Sequence, residues 1–346
     1  MRHRVFGRTG LRVSTLALGA GTFGTRWGYG SEPDEARAVF DAYRAAGGDF
    51  IDTADSYQFG QSESLLGEFI GAARDEIVLA TKFARGAAAA SGIQSVGNSR
   101  KVMIQAVEGS LKRLRTDRID LLWVHMPDGV TPVEEIVRGL DDLVRAGKII
   151  YAGLSDFPAW RVAAAATLAE LRGWAPIAGL QIEYSLVERT PERELLPMAA
   201  GFGLGTVGWS PLGGGLLTGK YRRGETGRAQ RFGRVIHGES DARKTAAIDA
   251  VLAIAEEVGA TPSQVAIAWV MAKGVLPIIG PRTPAQLADN LAAAALVLSE
   301  EQIARLDGAS AIPLGFPHEL LAEPETSARL AGGHPELTDA YAGAVR

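Results

Sequence analysis

The chain has 346 residues, of which 47% are hydrophobic and 22% charged, with a formal net charge of −4. Such a composition can bury a large core, argues against wholesale disorder and lacks the basic footprint of a nucleic-acid binder. Cysteine is absent, which excludes disulfides, thiolate metal sites and cysteine nucleophiles together, and no metal site is expected.

No run approaches the ~20 apolar residues of a membrane span. No apolar stretch follows the charged opening Met1-Arg2-His3-Arg4, as a secretory signal would require. A cytoplasmic protein without a membrane partner is expected. Length alone is compatible with two domains or with one large α/β barrel.

In chain order, the first predicted element is a hairpin, Arg2–Phe6 and Arg12–Ser14, around Gly7-Arg8-Thr9-Gly10. Eight short apolar runs follow as strand candidates: Thr15–Leu18, Phe50–Asp52, Ile77–Lys82, Ile119–His125, Ile149–Ser155, Ala178–Ile182, Gly205–Trp209 and Val275–Gly280. Between them lie segments of helical period, such as Lys101–Leu114, with Val102, Ala106, Val107, Leu111 and Leu114 on one face. Thr131-Pro132-Val133-Glu134, Thr261-Pro262-Ser263-Gln264 and Thr283-Pro284-Ala285-Gln286 each combine an N-cap threonine, a first-turn proline and a capping-box partner. Gly47-Gly48 and Ala146-Gly147-Lys148 mark helix ends. Strand–helix alternation implies parallel strands joined by crossovers. Eight such units predict an α/β fold, a closed (β/α)8 TIM barrel forming a single domain over 1–346. The Arg- and Gly-rich segment 221–242 is expected as a long loop. From about Pro313 the tail, 313–346, is expected to be irregular with one short helix and to pack on the barrel.

Two glycine clusters imitate nucleotide motifs. Gly19-Ala20-Gly21-Thr22-Phe23-Gly24 matches GxGxxG, but the next residues have loop composition and a helix starts only near Ser31, so the glycines do not open a helix as a dinucleotide fingerprint should. Gly214 to Lys220 matches GxxxxGK, but Tyr221 stands where a P-loop needs Ser or Thr. Both clusters suit tight turns or a close backbone approach to a ligand.

The informative feature is positional. Asp52, Lys82, His125, Ser155, Gln181 and Trp209 fall at or near the C-terminal ends of different strand candidates, and Gly280-Pro281-Arg282 follows the eighth. In a (β/α)8 barrel those ends converge on one mouth, where active sites sit. Singly, each has a bland reading: Asp52 as a cap, Lys82 as an ordinary strand-end lysine, His125 as structural, Tyr57 as loop cover. Together they bring a phenol, an ammonium, a carboxylate and an imidazole to one rim. A phenol ordinarily titrates near 10; a lysine cation beside it favours the phenolate, and a carboxylate keeps the lysine charged. A histidine can orient a carbonyl oxygen or relay a proton. Such a set is a tuned general acid for a carbonyl becoming an alkoxide, and its electrons must come from a cofactor.

The stretches Phe50-Ile51-Asp52-Thr53-Ala54-Asp55-Ser56-Tyr57, Ala80-Thr81-Lys82-Phe83, Ser110 to Leu114 with Ile119-Asp120-Leu121 and His125, Gly153-Leu154-Ser155, Gln181 to Ser185, Trp209-Ser210-Pro211-Leu212, and Ile278 to Pro284 through Asn290 occur in the order found in the aldo-keto reductase family, which this chain resembles over about residues 4 to 310. The resemblance implies reduction of a small-molecule aldehyde or ketone, sugar-like ones among the candidates, with NADP(H) as cofactor. It implies a catalytic tetrad of Asp52, Tyr57, Lys82 and His125, with Tyr57 as the general acid. Cofactor contacts implied in the same way are Gly21, Thr22 and Phe23 in the first barrel loop, Asp52, and Ser155, Asp156 and Gln181 at the carboxamide. Trp209 is implied to stack on the ring, with Ser210, Pro211, Leu212, Gly215, Leu216 and Lys220 along the pyrophosphate and Gly280, Arg282, Gln286 and Asn290 at the adenosine end. Asp156 is a departure, because many members carry asparagine there, and an ionised aspartate accepts hydrogen bonds but donates none. Arg282 just before a helix start at Thr283 suits a 2′-phosphate, though it can equally be a solvated loop arginine, and Gln286 can simply complete its capping box. Trp27, Tyr29 and Phe59 are candidates for an apolar substrate wall. Two other readings stay open, a Schiff-base aldolase using Lys82 and a cofactor-binding regulatory subunit without turnover. Oligomeric state is left open as well.

Overall fold

The computed structural model describes residues 1–225 and 238–337. Two strands, β1 (His3–Val5) and β2 (Arg12–Ser14), pair as an antiparallel hairpin with His3 opposite Ser14. The next eight are β3 (Ala17–Gly19), β4 (Phe50–Asp52), β5 (Val78–Phe83), β6 (Ile119–Val124), β7 (Ile149–Ser155), β8 (Ile177–Glu183), β9 (Gly205–Trp209) and β10 (Leu276–Ile279). They run parallel, each pairs with the next, and β10 returns to β3, so the sheet closes into the expected barrel. Every strand boundary lies within two residues of the sequence expectation.

Because side chains alternate across a strand, each barrel strand has one row facing the interior and one facing the helices. In β6, Leu121 and Trp123 join Phe6, Phe50 and Val207 in the interior cluster, while Leu122 and Val124 belong to the layer beneath the helices. Both rows are buried, which is why these strands appear in the sequence as continuous apolar runs. The same alternation carries the inward row upward: Asp52 lies two residues beyond Phe50, and Lys82 two beyond Ala80. Apolar floor and polar mouth are successive layers of one set of positions.

The hairpin supplies the floor. The Phe6 ring lies 6.1 Å from Phe50 and 6.4 Å, edge-on, from Trp123. A Cβ at Gly205 would come within 2.6 Å of that ring, and one at Gly153 within 2.4 Å of Trp123. Large rings therefore fill the barrel only where neighbouring strands carry no side chain.

Helix starts agree in part. Thr261 and Gln264 form a complete capping box. Thr283 accepts from the Gln286 backbone, but the Gln286 side chain passes the cap and takes the Arg282 N–H at 2.9 Å. The expected cap at Thr131 is not made: the helix Val133–Arg145 begins after Pro132, and the Thr131 hydroxyl donates to Asp128 at 2.6 Å. A nearby carboxylate outcompetes the backbone for that hydroxyl. Of the loop expected over 221–242, residues 226–237 lie outside the described residues. The tail has two short helices, His318–Ala322 and Pro324–Leu330, where one was expected, and a 3-10 turn at Pro335–Leu337; its last residues, 338–346, lie outside the described residues. Among the described residues no helix is long and apolar enough to cross a membrane.

Phe6→Ala should cost about 3–5 kcal/mol of unfolding free energy in urea titrations, because the floor cannot collapse into the gap. A loss below about 1 kcal/mol would show that the hairpin is not a structural plug.

Candidate active site

Three neighbouring elements bring the polar layer together. Asp52 closes β4, and Lys82 lies one residue from the end of β5. The Lys82 ammonium pairs with Asp52 Oδ2, donates to the Thr53 carbonyl at 2.9 Å and to the Tyr57 hydroxyl at 3.1 Å. From β8 across the barrel, Gln181 Nε2 donates to the other Asp52 oxygen at 2.9 Å. The Lys82 side chain has no exposed surface and that of Asp52 has 2%. Burial alone would push the lysine toward neutrality, but Asp52 and Tyr57 outweigh it and hold its pKa above the ordinary value. The group is a fixed cation.

Tyr57 opens a 3-10 turn, Tyr57–Gly60, in which Gln58 and Phe59 adopt φ of 52° and 53°. Left-handed backbone at two consecutive non-glycine residues is strained and persists only where surroundings impose it. Here the surroundings are side-chain bonds. The buried Gln58 amide accepts from the Trp27 N–H at 2.8 Å and donates to the Tyr29 carbonyl at 2.8 Å, while Gln61 accepts from the Thr25 N–H at 3.0 Å. The turn carrying Tyr57 and the loop after β3 thus hold one another. Trp27 stands edge-on to Tyr57, ring centroids 5.9 Å apart, and His125 stands edge-on from the other side at 5.8 Å. Burial first, then the charges of Lys82 and Arg85, lower the His125 pKa well below the ordinary imidazole value, so it is neutral at pH 7.

These groups open onto a cavity of about 600 Å³. Beyond Tyr57 its wall includes Ser155, Asp156, Gln181 and Trp209. Asp156 has φ of 56° and accepts from the Trp209 indole N–H at 3.0 Å. Burial pushes its carboxyl up to about 6, against the Trp209 bond and the Lys82 charge. The buried Ser155 hydroxyl completes no hydrogen bond. At the opposite end stand Lys220 and Arg282. Burial, then the Arg282 charge, lowers the Lys220 pKa. The Arg282 guanidinium lies 4.9 Å over the Tyr29 ring.

Most of the residues singled out in the sequence converge here. Gly21, Thr22, Asp52, Tyr57 and His125 line the cavity, as do Ser210, Pro211, Leu212, Gly215, Gly280, Gln286 and Asn290. Four do not line it, the fully buried Lys82 among them, which reaches the cavity through Tyr57. Phe23 and Leu216 are buried in the surrounding core, and Phe59 stands behind Trp27 at 6.3 Å. Tyr29 lines the cavity beneath the Arg282 guanidinium. Sequence reasoning missed Gln58, Arg85 and Asp55. Gln58 and Asp55 could have been found by asking what surrounds Tyr57 in the chain, and Arg85 by following β5 past Lys82.

Comparison with known proteins agrees with the geometry. A sequence profile of the Aldo/keto reductase family matches residues 15–311. The chain is 38% identical to norsolorinic acid reductase of Aspergillus flavus over 337 residues, 94% of this chain and 85% of that one. It is 37% identical to aryl-alcohol dehydrogenase [NADP(+)] of Phanerodontia chrysosporium, over 91% and 87% of the two chains. An uncharacterized oxidoreductase of Bacillus subtilis is 38% identical over 89% of this chain and 95% of its own.

Asp55 supplies a pH test. It is buried next to Glu63, with Oδ1 unpartnered; burial first, then the Glu63 charge, pushes its pKa up to about 7. The folded protein therefore keeps a proton that the unfolded chain has lost, and this contribution to stability falls as pH rises from the ordinary carboxylate value to about 7. Urea unfolding of Asp55→Asn should gain on the wild type steadily between pH 4 and pH 8. A difference independent of pH would contradict the assignment.

Proposed function

Because this chain belongs to the aldo/keto reductase family, we propose that it reduces an aldehyde or ketone with NADPH, and that Tyr57 gives the proton. Membership makes the protein an oxidoreductase of small-molecule carbonyl compounds. The observation that carries the finer reading is the buried Lys82 ammonium held between Asp52 and the Tyr57 hydroxyl.

A carbonyl oxygen placed at the Tyr57 hydroxyl would take its proton as negative charge develops there. Lys82 then faces the phenolate left behind, and Asp52 keeps that cation in place. Neutral His125 beside the ring can hold the carbonyl oxygen without adding a second mobile proton. NADPH supplies the hydride when bound.

The residues present fit such a cofactor. The unsatisfied Ser155 hydroxyl and the Gln181 amide are polar groups suited to a carboxamide, and Asp156 can accept from its NH2. Trp209 offers a flat aromatic wall to a planar ring. Lys220 and Arg282, two cations lining one cavity without an ion pair among the described residues, suit an anion such as a phosphorylated cofactor provides. Ser210, Pro211, Leu212 and Gly215 would follow the pyrophosphate, with Gly280, Gln286 and Asn290 at the adenosine end; Gln286 would do so while its Oε1 is held by the Arg282 N–H. An aromatic carbonyl suits the Trp27 wall beside Tyr57 better than a sugar, and relatives named for norsolorinic acid and aryl alcohols support that choice. The Schiff-base reading loses support, because an aldolase lysine must be a free amine, whereas Lys82 is a charged donor to three acceptors.

Following NADPH oxidation by absorbance with a panel of aromatic aldehydes tests the reading. Tyr57→Phe should bind NADPH as the wild type does yet lose about 10²–10⁴-fold in turnover. Full activity in that variant would refute the role of Tyr57; tight cofactor binding by the wild type without any turnover would favour the regulatory-subunit reading.

A further inference from the structure

Basic side chains around the cavity divide into two groups. Arg223 is spoken for, paired with Glu225 at 2.8 Å. Arg85, Lys220 and Arg282 line the cavity without an ion pair among the described residues. Lys220 and Arg282 follow β9 and β10 and suit the cofactor's phosphates. Arg85 follows β5, three residues after Lys82 and four strands around the barrel from β9; Trp27, Tyr57, His125 and Met126 line the same cavity. Its charge is felt by His125 and by Asp55. Arg85 therefore stands at the reacting end, beyond the reach of the phosphate grip.

The backbone at this point is unusual. Ala84 has φ of 132° and Gly86 φ of 77°, and the Ala84 carbonyl is fixed by the Gly97 N–H at 2.8 Å. A non-glycine residue so far from the allowed regions is costly and is kept only where the surrounding structure imposes it. Directly after Lys82-Phe83, this bend places Arg85 on the cavity rim. Among the described residues no carboxylate pairs with it: Asp52 is committed to Lys82 and Gln181, and Asp55 makes no ion pair with it and holds its own proton up to about pH 7. A guanidinium facing a substrate cavity with its donors unengaged is matched by a planar, bidentate acceptor.

We propose that Arg85 anchors a carboxylate on the substrate, so that the carbonyl compounds reduced here are those carrying an acid group away from the reacting C=O. This rests on the carbonyl-reduction reading above and adds a substrate class to it. The reaction itself balances as before: hydride adds to the carbonyl carbon, Tyr57 protonates the oxygen, the C=O becomes CH–OH, and the carboxylate passes through unchanged while Arg85 fixes the orientation.

The test uses the full-length protein with NADPH and two probes, 4-carboxybenzaldehyde and its methyl ester. The wild type should favour the acid in kcat/KM by about tenfold, and added salt should erode that preference. In Arg85→Gln the acid-to-ester ratio should fall about tenfold, chiefly through KM, and Arg85→Lys should restore part of it. An acid-to-ester ratio unchanged in Arg85→Gln, or both probes losing equally, overturns the anchor while leaving carbonyl reduction standing. Absence of NADPH oxidation with either probe in the wild type would instead overturn carbonyl reduction, and this inference with it.

Discussion

A lysine ammonium with no exposed side-chain surface can remain charged inside a protein only if its surroundings replace the water it has lost. Asp52, the Thr53 carbonyl and the Tyr57 hydroxyl do this for Lys82. Removing Asp52 would leave a buried charge without its counter-ion, so the arrangement binds β4, β5 and the turn after β4 into one unit. Gln181 extends it to β8 through the second Asp52 oxygen. The phenol is oriented by the same cation that would stabilise its conjugate base, and the carboxylate that fixes that cation is itself fixed from across the barrel.

Below this polar layer the barrel is filled by rings. Phe6 enters from outside the sheet, and glycines at 153, 179 and 205 leave room for it and for Trp123. Above, Gln58 and Gln61 tie the turn bearing Tyr57 to the loop whose Trp27 leans on that tyrosine and whose Tyr29 lies beneath Arg282. The two ends of the cavity are thereby mechanically connected through one short loop. Asp156 and Trp209 form a further fixed pair, in which the indole supplies a donor that a carboxylate can accept.

The strand pattern was legible because both rows of each barrel strand are buried, making apolar runs with polar ends. Asp52 and Lys82 were legible as exceptions in apolar strands. Other features depend on neighbours distant in sequence. Thr131 has the composition of a cap but is claimed by Asp128, and Phe59 has the look of a pocket wall but stands behind Trp27. Phe23 and Leu216 occupy positions where backbone can approach the cavity while the side chains turn into the core. Arg85 is hidden because nothing in the chain announces the reversal at Ala84, and Gln58 because an amide bonded to backbone groups of Gly21, Trp27 and Tyr29 looks, in sequence, like any loop glutamine.

The central claim is that the buried ammonium makes Tyr57 a competent acid. The most direct measurement is NADPH oxidation by Lys82→Met at saturating aromatic aldehyde, with NADPH binding followed by fluorescence on the same samples. Retained binding with turnover lowered about 10²–10⁴-fold is the predicted result; turnover within a few-fold of the wild type would contradict the account.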